Sequence, residues 1–450
     1  MRPRSLLGAV FPLVAVALVV LASLAPADDA PSPQRAPGTV AVSQSTYACP
    51  AGSVITVASG QVKPGTSGTA SALPGRAPVD GLSGATTWRT SVVDGAGVLV
   101  DQQGSGSGAV GYFAGTAPKS GGGGLVVGSC SGVVDDAWLL GLGSGDEHFS
   151  TVILTNLAGS PAAVDLTLWG PEGRIDAVNA EGIVIEPYSV QRIRLDALAA
   201  GEPEVAVHVH RRRGSVSAVV NDTSTAAGRG TEPISASSAP SREQVVGGLV
   251  PGTGGRTLLV LNPGRSTARV GVEVIGPRST FTPAGLEEVT VPAGTLRAVT
   301  VPSTAGSDAQ ALRVTSDQPV SASVRMAPTA DDYAYAESAA TLTGPAVVPV
   351  DLGQPGVGSQ LVLTAPGGDA SVEVQAFDAA MAPLTSTTIS IPAGTTTATP
   401  VEVAGAAYLV LTPTGDVVAA ATYSAGDRLS SLAVTDAPVS VAAPQVRPVG

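Results

Sequence analysis

The sequence predicts an all-β protein of tandem immunoglobulin-like β-sandwich repeats, and three observations carry that expectation. Short runs alternate apolar with polar or small residues, as in Val270-Gly271-Val272-Glu273-Val274, the period of a strand with one buried face. Gly (55 residues) and Pro (36 residues) are spread along the chain and punctuate these runs, which argues against long helices. The pattern returns about every 100 residues, with Pro187, Pro292 and Pro392 closing equivalent strands. About six or seven short strands per repeat fit a sandwich, whereas one propeller blade has only about 40–50 residues. A propeller-like toroid with two blades per repeat is the alternative that the pattern leaves open.

Each element follows in chain order. Arg2 and Arg4 precede an apolar run from Leu6 to Ala25, so residues 1–29 read as an export signal or a membrane anchor. Ala25-Pro26-Ala27 suits cleavage, and the run is also long enough to span a bilayer. Residues 30–45 carry Pro31, Pro33 and Pro37 and read as a spacer. Residues 46–135 form a divergent first repeat with weaker strands, held by a disulfide expected between Cys49 and Cys130 in an oxidising compartment.

Residues 136–245, 246–346 and 347–450 are the second, third and fourth repeats. Each opens on two consecutive strands that read as a hairpin. In the third repeat these are Leu258 to Leu261, an Asn262-Pro263-Gly264 break, then Ala268 to Val274; the second has Val152 to Asn156 and Ala163 to Leu168. The fourth has Leu361 to Thr364, Pro366-Gly367, then Ser371 to Ala376. A further strand ends at a Pro turn, and another two-strand set closes each repeat, as in Ala206 to His210 with Val216 to Val219. Such repeats are expected to fold separately, with proteolytic cuts near residues 135, 245 and 347.

The composition bounds the function. With 44% apolar and 13% charged residues the chain is too hydrophobic to be disordered. A net charge of −12 repels nucleic acid and anionic lipid, so no nucleic-acid partner is expected and membrane contact only through the N-terminal segment. With only 5 Phe, 3 Trp and 7 Tyr, the cores must be built from Val, Leu, Ile and Ala.

The apolar N-terminal segment, Cys49-Pro50, the Leu259-Val260-Leu261-Asn262-Pro263-Gly264 unit and the Val291-Pro292-Ala293-Gly294 turn resemble an actinobacterial envelope family, the domain-of-unknown-function family numbered 5719. The resemblance covers nearly the whole chain from Cys49, and departs where Ala365 takes the Asn position in the fourth repeat. It implies an extracytoplasmic location and no activity, so no catalytic residue is carried over.

The residues that bear chemistry point the same way. His208 and His210 share a strand face, as metal-ligating pairs do, but they run into Arg211-Arg212-Arg213, whose charge opposes a cation; they read as a solvated strand end. His148 reads as a loop residue without a ligand role. No Gly-x-Ser-x-Gly or Ser-x-x-Lys occurs, so no enzyme is expected. Asp135-Asp136, Asp146-Glu147 and Asp331-Asp332 read as solvated loop acids without the spacing of a calcium loop. No cofactor and no metal is expected.

Candidate ligand contacts are Arg211, Arg212 and Arg213 for a phosphorylated wall polymer, and Trp169, with Trp88, Trp138 and Tyr188, for sugar stacking. The leading expectation is a non-enzymatic cell-envelope scaffold or partner-binding surface. A cell-wall glycan-binding module is the alternative.

Overall fold

The computed structural model describes residues 39–50, 54–59, 67–79, 88–91, 97–104, 108–117, 123–226, 229–251, 255–302, 308, 310–328 and 332–442. The N-terminal apolar run, the start of the spacer, Asp331 and the Trp88 side chain lie outside them. The chain divides into two compact units, a small one of residues 1–40 with 442–450 and a large one of residues 41–441. Its described secondary structure is β-strand in small antiparallel sheets, with one short 3-10 turn at Leu195–Ala197. Among the described residues no helix is long and apolar enough to cross a membrane.

The strands group into four pairs of sheets. In the second pair, one sheet joins Asp136–Leu142, Val205–Arg213, Ala162–Gly170 and Gly173–Ile175, and the other joins Val190–Arg194, His148–Asn156, Val216–Ser224 and Gly230–Ile234. Their apolar rows meet in one interior containing Leu139, Val152, Leu154, Val164, Val207 and Val220. The first and fourth pairs repeat this order. In the third the two sheets are linked by one long strand, Gln310–Ala327. Its first half pairs with Ala268–Ile275 and its second with Gly255–Asn262 and Ala334–Glu337. The strand Ser241–Leu249 pairs with the same long strand, so it belongs with the third sheet pair.

The two-strand units expected as hairpins are not hairpins. Gly255–Asn262 and Ala268–Ile275 each pair with Gln310–Ala327 and not with one another, and the matching strands of the second and fourth copies lie in different sheets. The chain crosses from one sheet to the other at each break. A period of two, apolar side inward, is equally compatible with a ladder and with this crossover, because both strands face the same interior.

The break is built around a buried Asn. Asn262 Nδ2 donates to Ser266 O (2.8 Å) and to Val291 O (3.1 Å), while its Oδ1 accepts from Gly264 N (3.0 Å). Asn156 does the same in the second copy, with Nδ2 donating to Ser160 O (2.7 Å) and Ile185 O (3.0 Å). These bonds tie the crossing loop to the strand that ends at the Pro turn. Where Ala365 replaces the Asn, Asp369 Oδ1 accepts from Ala393 N (2.8 Å), and Gly394 N donates to Ala365 O (2.8 Å).

The four interiors are not sealed from one another. Leu259, Leu261, Tyr333 and Tyr335 of the third copy belong to the second copy's core, and Tyr112 and Leu125 of the first belong to the fourth's. Val245, Ile275 and Ala311 pack on Val418, joining the third copy to the fourth. Ala48, Leu73 and Leu99 pack with Leu157, joining the first to the second. The contacts therefore run from copy to copy and return to the first, and Val42 N donates to Val439 O (2.9 Å) where the two ends of the unit meet. Cys49 and Cys130 form a disulfide with a sequence separation of 81 residues.

Candidate functional site

Three polar assemblies stand out in this apolar fold. The first is a cleft of about 980 Å³ whose walls come from the first, second and fourth copies. The strand Gln44–Pro50 supplies Gln44, Thr46 and Tyr47; the turn after Ser67–Leu73 supplies Arg76; the second copy supplies Leu157 and Tyr188. Asp101 accepts from Thr46 Oγ1 (2.6 Å), Gln44 Nε2 (3.4 Å) and Arg76 NH2 (3.4 Å). The Arg76 guanidinium lies 4.5 Å from the centroid of the Tyr188 ring, a cation–π contact that links two copies.

Arg76 (φ 58°) and Tyr188 (φ 50°) are both non-glycine residues in the left-handed region. Such backbone costs free energy and persists where the surroundings enforce it, often at ligand sites. Of the two buried phenols lining the cleft, Tyr112 OH donates to Val347 O, whereas Tyr47 OH has no hydrogen-bond partner among the described residues. Burial pushes both phenols well above their ordinary range. Gly111 is needed here: a Cβ would collide with the Tyr47 ring and lie 2.9 Å from Cys130 Sγ.

The second assembly lies on the face of the sheet that contains Val205–Arg213. Cross-strand register sets Asp136 opposite His210 and Trp138 opposite His208. His208 Nε2 and His210 Nδ1 both lie 2.8 Å from Asp136 Oδ1. The His208 ring stacks on Trp138 with centroids 3.9 Å apart, and Trp138 stacks on Trp169 at 5.8 Å. The hydrogen bond from His210, with that from His208, holds the Asp136 carboxyl below its ordinary range despite some desolvation, while burial lowers His208.

The third is internal. Asp222, wholly buried, accepts from Tyr333 OH (2.9 Å), Tyr335 OH (3.3 Å), Ser150 Oγ and His148 Nε2 (3.0 Å). Burial opposes charge on His148, but the hydrogen bond and charge of Asp222 outweigh it and raise its pKa. Nearby, the closing strands of the four copies converge. Asp332 Oδ2 accepts from Leu125 N (3.0 Å) and Leu429 N (2.9 Å), Glu337 Oε1 accepts from Ser235 N (3.0 Å), and Ser430 Oγ donates to Glu232 Oε1 (2.6 Å). Burial pushes Asp332 up to about 6, Glu337 up to about 8 and Glu232 well above the carboxylate range.

Several expected placements change. His148 starts the strand His148–Asn156 and is bound to Asp222, not loose in a loop. His208 is not a solvated strand end: its side chain is 16% exposed under Trp138, while that of His210 is 52% exposed. Asp332 is buried, not a solvated loop acid, because three backbone N–H groups need its oxygens. Arg211 pairs with Asp135 and Arg212 with Asp165 and Glu181, leaving Arg213 exposed at the strand end. Trp169 is 6% exposed, so little of its ring is open for sugar stacking, whereas Tyr188 lines the cleft with Arg76 over its ring.

Sequence reasoning missed Arg76, Asp101 and Tyr47. The cleft forms from segments far apart in the chain, and no local motif marks it. The one local signal was the Leu73-Pro74-Gly75-Arg76 turn. A family described as a family of unknown function, DUF5719, matches residues 87–402, so the match starts well after Cys49 and leaves Tyr47 and Arg76 outside it. Among curated proteins, none matches the chain.

Proposed function

We propose, from the premise that this chain belongs to the DUF5719 family, that it is a non-enzymatic cell-envelope protein whose tandem β-sandwich copies present a partner-binding cleft outside the cytoplasmic membrane. The observation that carries this reading is the Arg76–Tyr188–Asp101 cleft. A void of about 980 Å³ at a junction of copies, with strained backbone on two walls and a few convergent polar groups, has the features of a binding site. The apolar segment behind Arg2 and Arg4 and the Cys49–Cys130 disulfide support export to an oxidising compartment.

Crosslinking in the native envelope, followed by mass spectrometry, tests the reading. Arg76→Gly removes the guanidinium yet suits the φ of 58°, and Asp101→Asn removes the charge it faces. Both variants should lose the captured partner at unchanged folding. An unchanged partner set, or sustained turnover of any substrate, would sink it.

A second reading, a cell-wall glycan as the bound partner, is favoured by Tyr188 standing beside Gln44, Thr46 and Asp101, a ring and hydroxyl-bonding groups in one cleft. Pull-down with wall fractions separates the two: retention on purified glycan, lost in Arg76→Gly, selects the glycan.

A further inference from the structure

We propose that Asp136, His208 and His210 form a binding site for a divalent transition-metal ion, with Zn²⁺ the best fit, on a face separate from the cleft. One ligand atom from each residue lies within 4.8 Å of the other two. The two imidazole nitrogens already converge on one carboxylate oxygen at 2.8 Å each. Around a tetrahedral ion with bonds of about 2.0–2.1 Å, ligand atoms stand about 3.3 Å apart. Each of the two nitrogen–oxygen separations therefore has to lengthen by roughly half an ångström, which the half-exposed His210 ring and Asp136 carboxylate can supply.

Two imidazoles and a carboxylate are the donor set of Zn²⁺, Co²⁺, Ni²⁺ or Cu²⁺, and a poor set for Ca²⁺ or Mg²⁺, which take oxygen ligands. The positions are set by paired strands and not by a loop, and the His208 ring is clamped by the Trp138–Trp169 stack. Two of the three adjacent arginines carry their own counter-charges, which reduces their opposition to a cation. Arg211 is tied to Asp135, and Arg212 to Asp165, which itself sits opposite His210 in the neighbouring register. Three protein ligands leave a fourth position open to water or to a donor group of a partner.

The test uses the full chain without a polyhistidine tag. Equilibrium dialysis against ZnCl2 near neutral pH should give one ion per chain. His210→Ala and Asp136→Asn, both at partly exposed positions, should each raise Kd at least tenfold, with circular dichroism unchanged. Cu²⁺ should quench tryptophan fluorescence through Trp138 beside His208, and His210→Ala should remove that quenching at equal Cu²⁺. Absence of stoichiometric binding, or binding and quenching that survive both substitutions, would overturn the assignment. It would leave Asp136, His208 and His210 as a hydrogen-bonded cluster without an ion.

Discussion

Asn262 holds the third copy's crossover with bonds to the crossing loop and to the strand that ends at Val291, while itself fully buried. Asn262→Ala leaves carbonyls of Ser266 and Val291 and the Gly264 N–H without that partner. It should lower stability by about 1–3 kcal/mol in urea unfolding. The motif was legible as a turn signature, but its reach to Val291 was not, because that contact spans 29 residues. The fourth copy shows why Ala365 is tolerated: Asp369 makes a tie to the Pro392 turn from a different position. Titration gives a second residue-scale expectation. Burial keeps protons on Glu337 up to about pH 8 and on Asp332 up to about pH 6, where unfolded carboxyls near 4 have already lost them. The folded state then holds more protons, so stability falls as pH rises through that window. His148, raised by its bond to Asp222, acts in the same direction, since the benefit of its charge is lost as pH rises through its folded pKa. The melting temperature should be higher at pH 5 than at pH 8, and Glu337→Gln should flatten the slope. A flat or opposite trend in the parent protein would show that these carboxyls titrate normally.

At the scale of elements, strand positions were legible and strand partners were not. Alternation says which side of Ala268–Ile275 is buried, and Val270, Val272 and Val274 are all fully inside. It does not say whether the preceding strand lies beside it or across the core from it. The deciding contacts are with Gln310–Ala327, about forty residues downstream in register, as Val272 opposite Val314 shows. The same reason hid the second polar assembly: His208 and His210 were visible two apart, but Asp136 reaches them only through a ladder joining residues over seventy positions apart. Val272→Asp puts an unpaired carboxylate between two sheets and should cost more than about 4 kcal/mol. Because Leu259 and Tyr335 of the same copy complete the second copy's core, loss of near-ultraviolet dichroism is expected beyond the third copy. That differs from the separate unfolding that the repeat pattern alone suggests.

For the whole molecule, shared interiors predict one cooperative thermal transition for residues 41–441, where independent copies would give several. Calorimetry distinguishes the two by the ratio of calorimetric to van't Hoff enthalpy. Removing the disulfide with Cys49→Ser and Cys130→Ser releases an 81-residue loop and should lower stability by about 4–5 kcal/mol on loop entropy. In a shared-core molecule that loss moves the single transition, not a first-copy transition alone. The meeting of Val42 with Val439 has a further consequence. A compact unit whose two ends already touch carries no topological need for its native starting point. A circular permutant of residues 41–441 that fuses the ends of this unit and opens it beside Val133, which is 48% exposed, should reach the same native contacts.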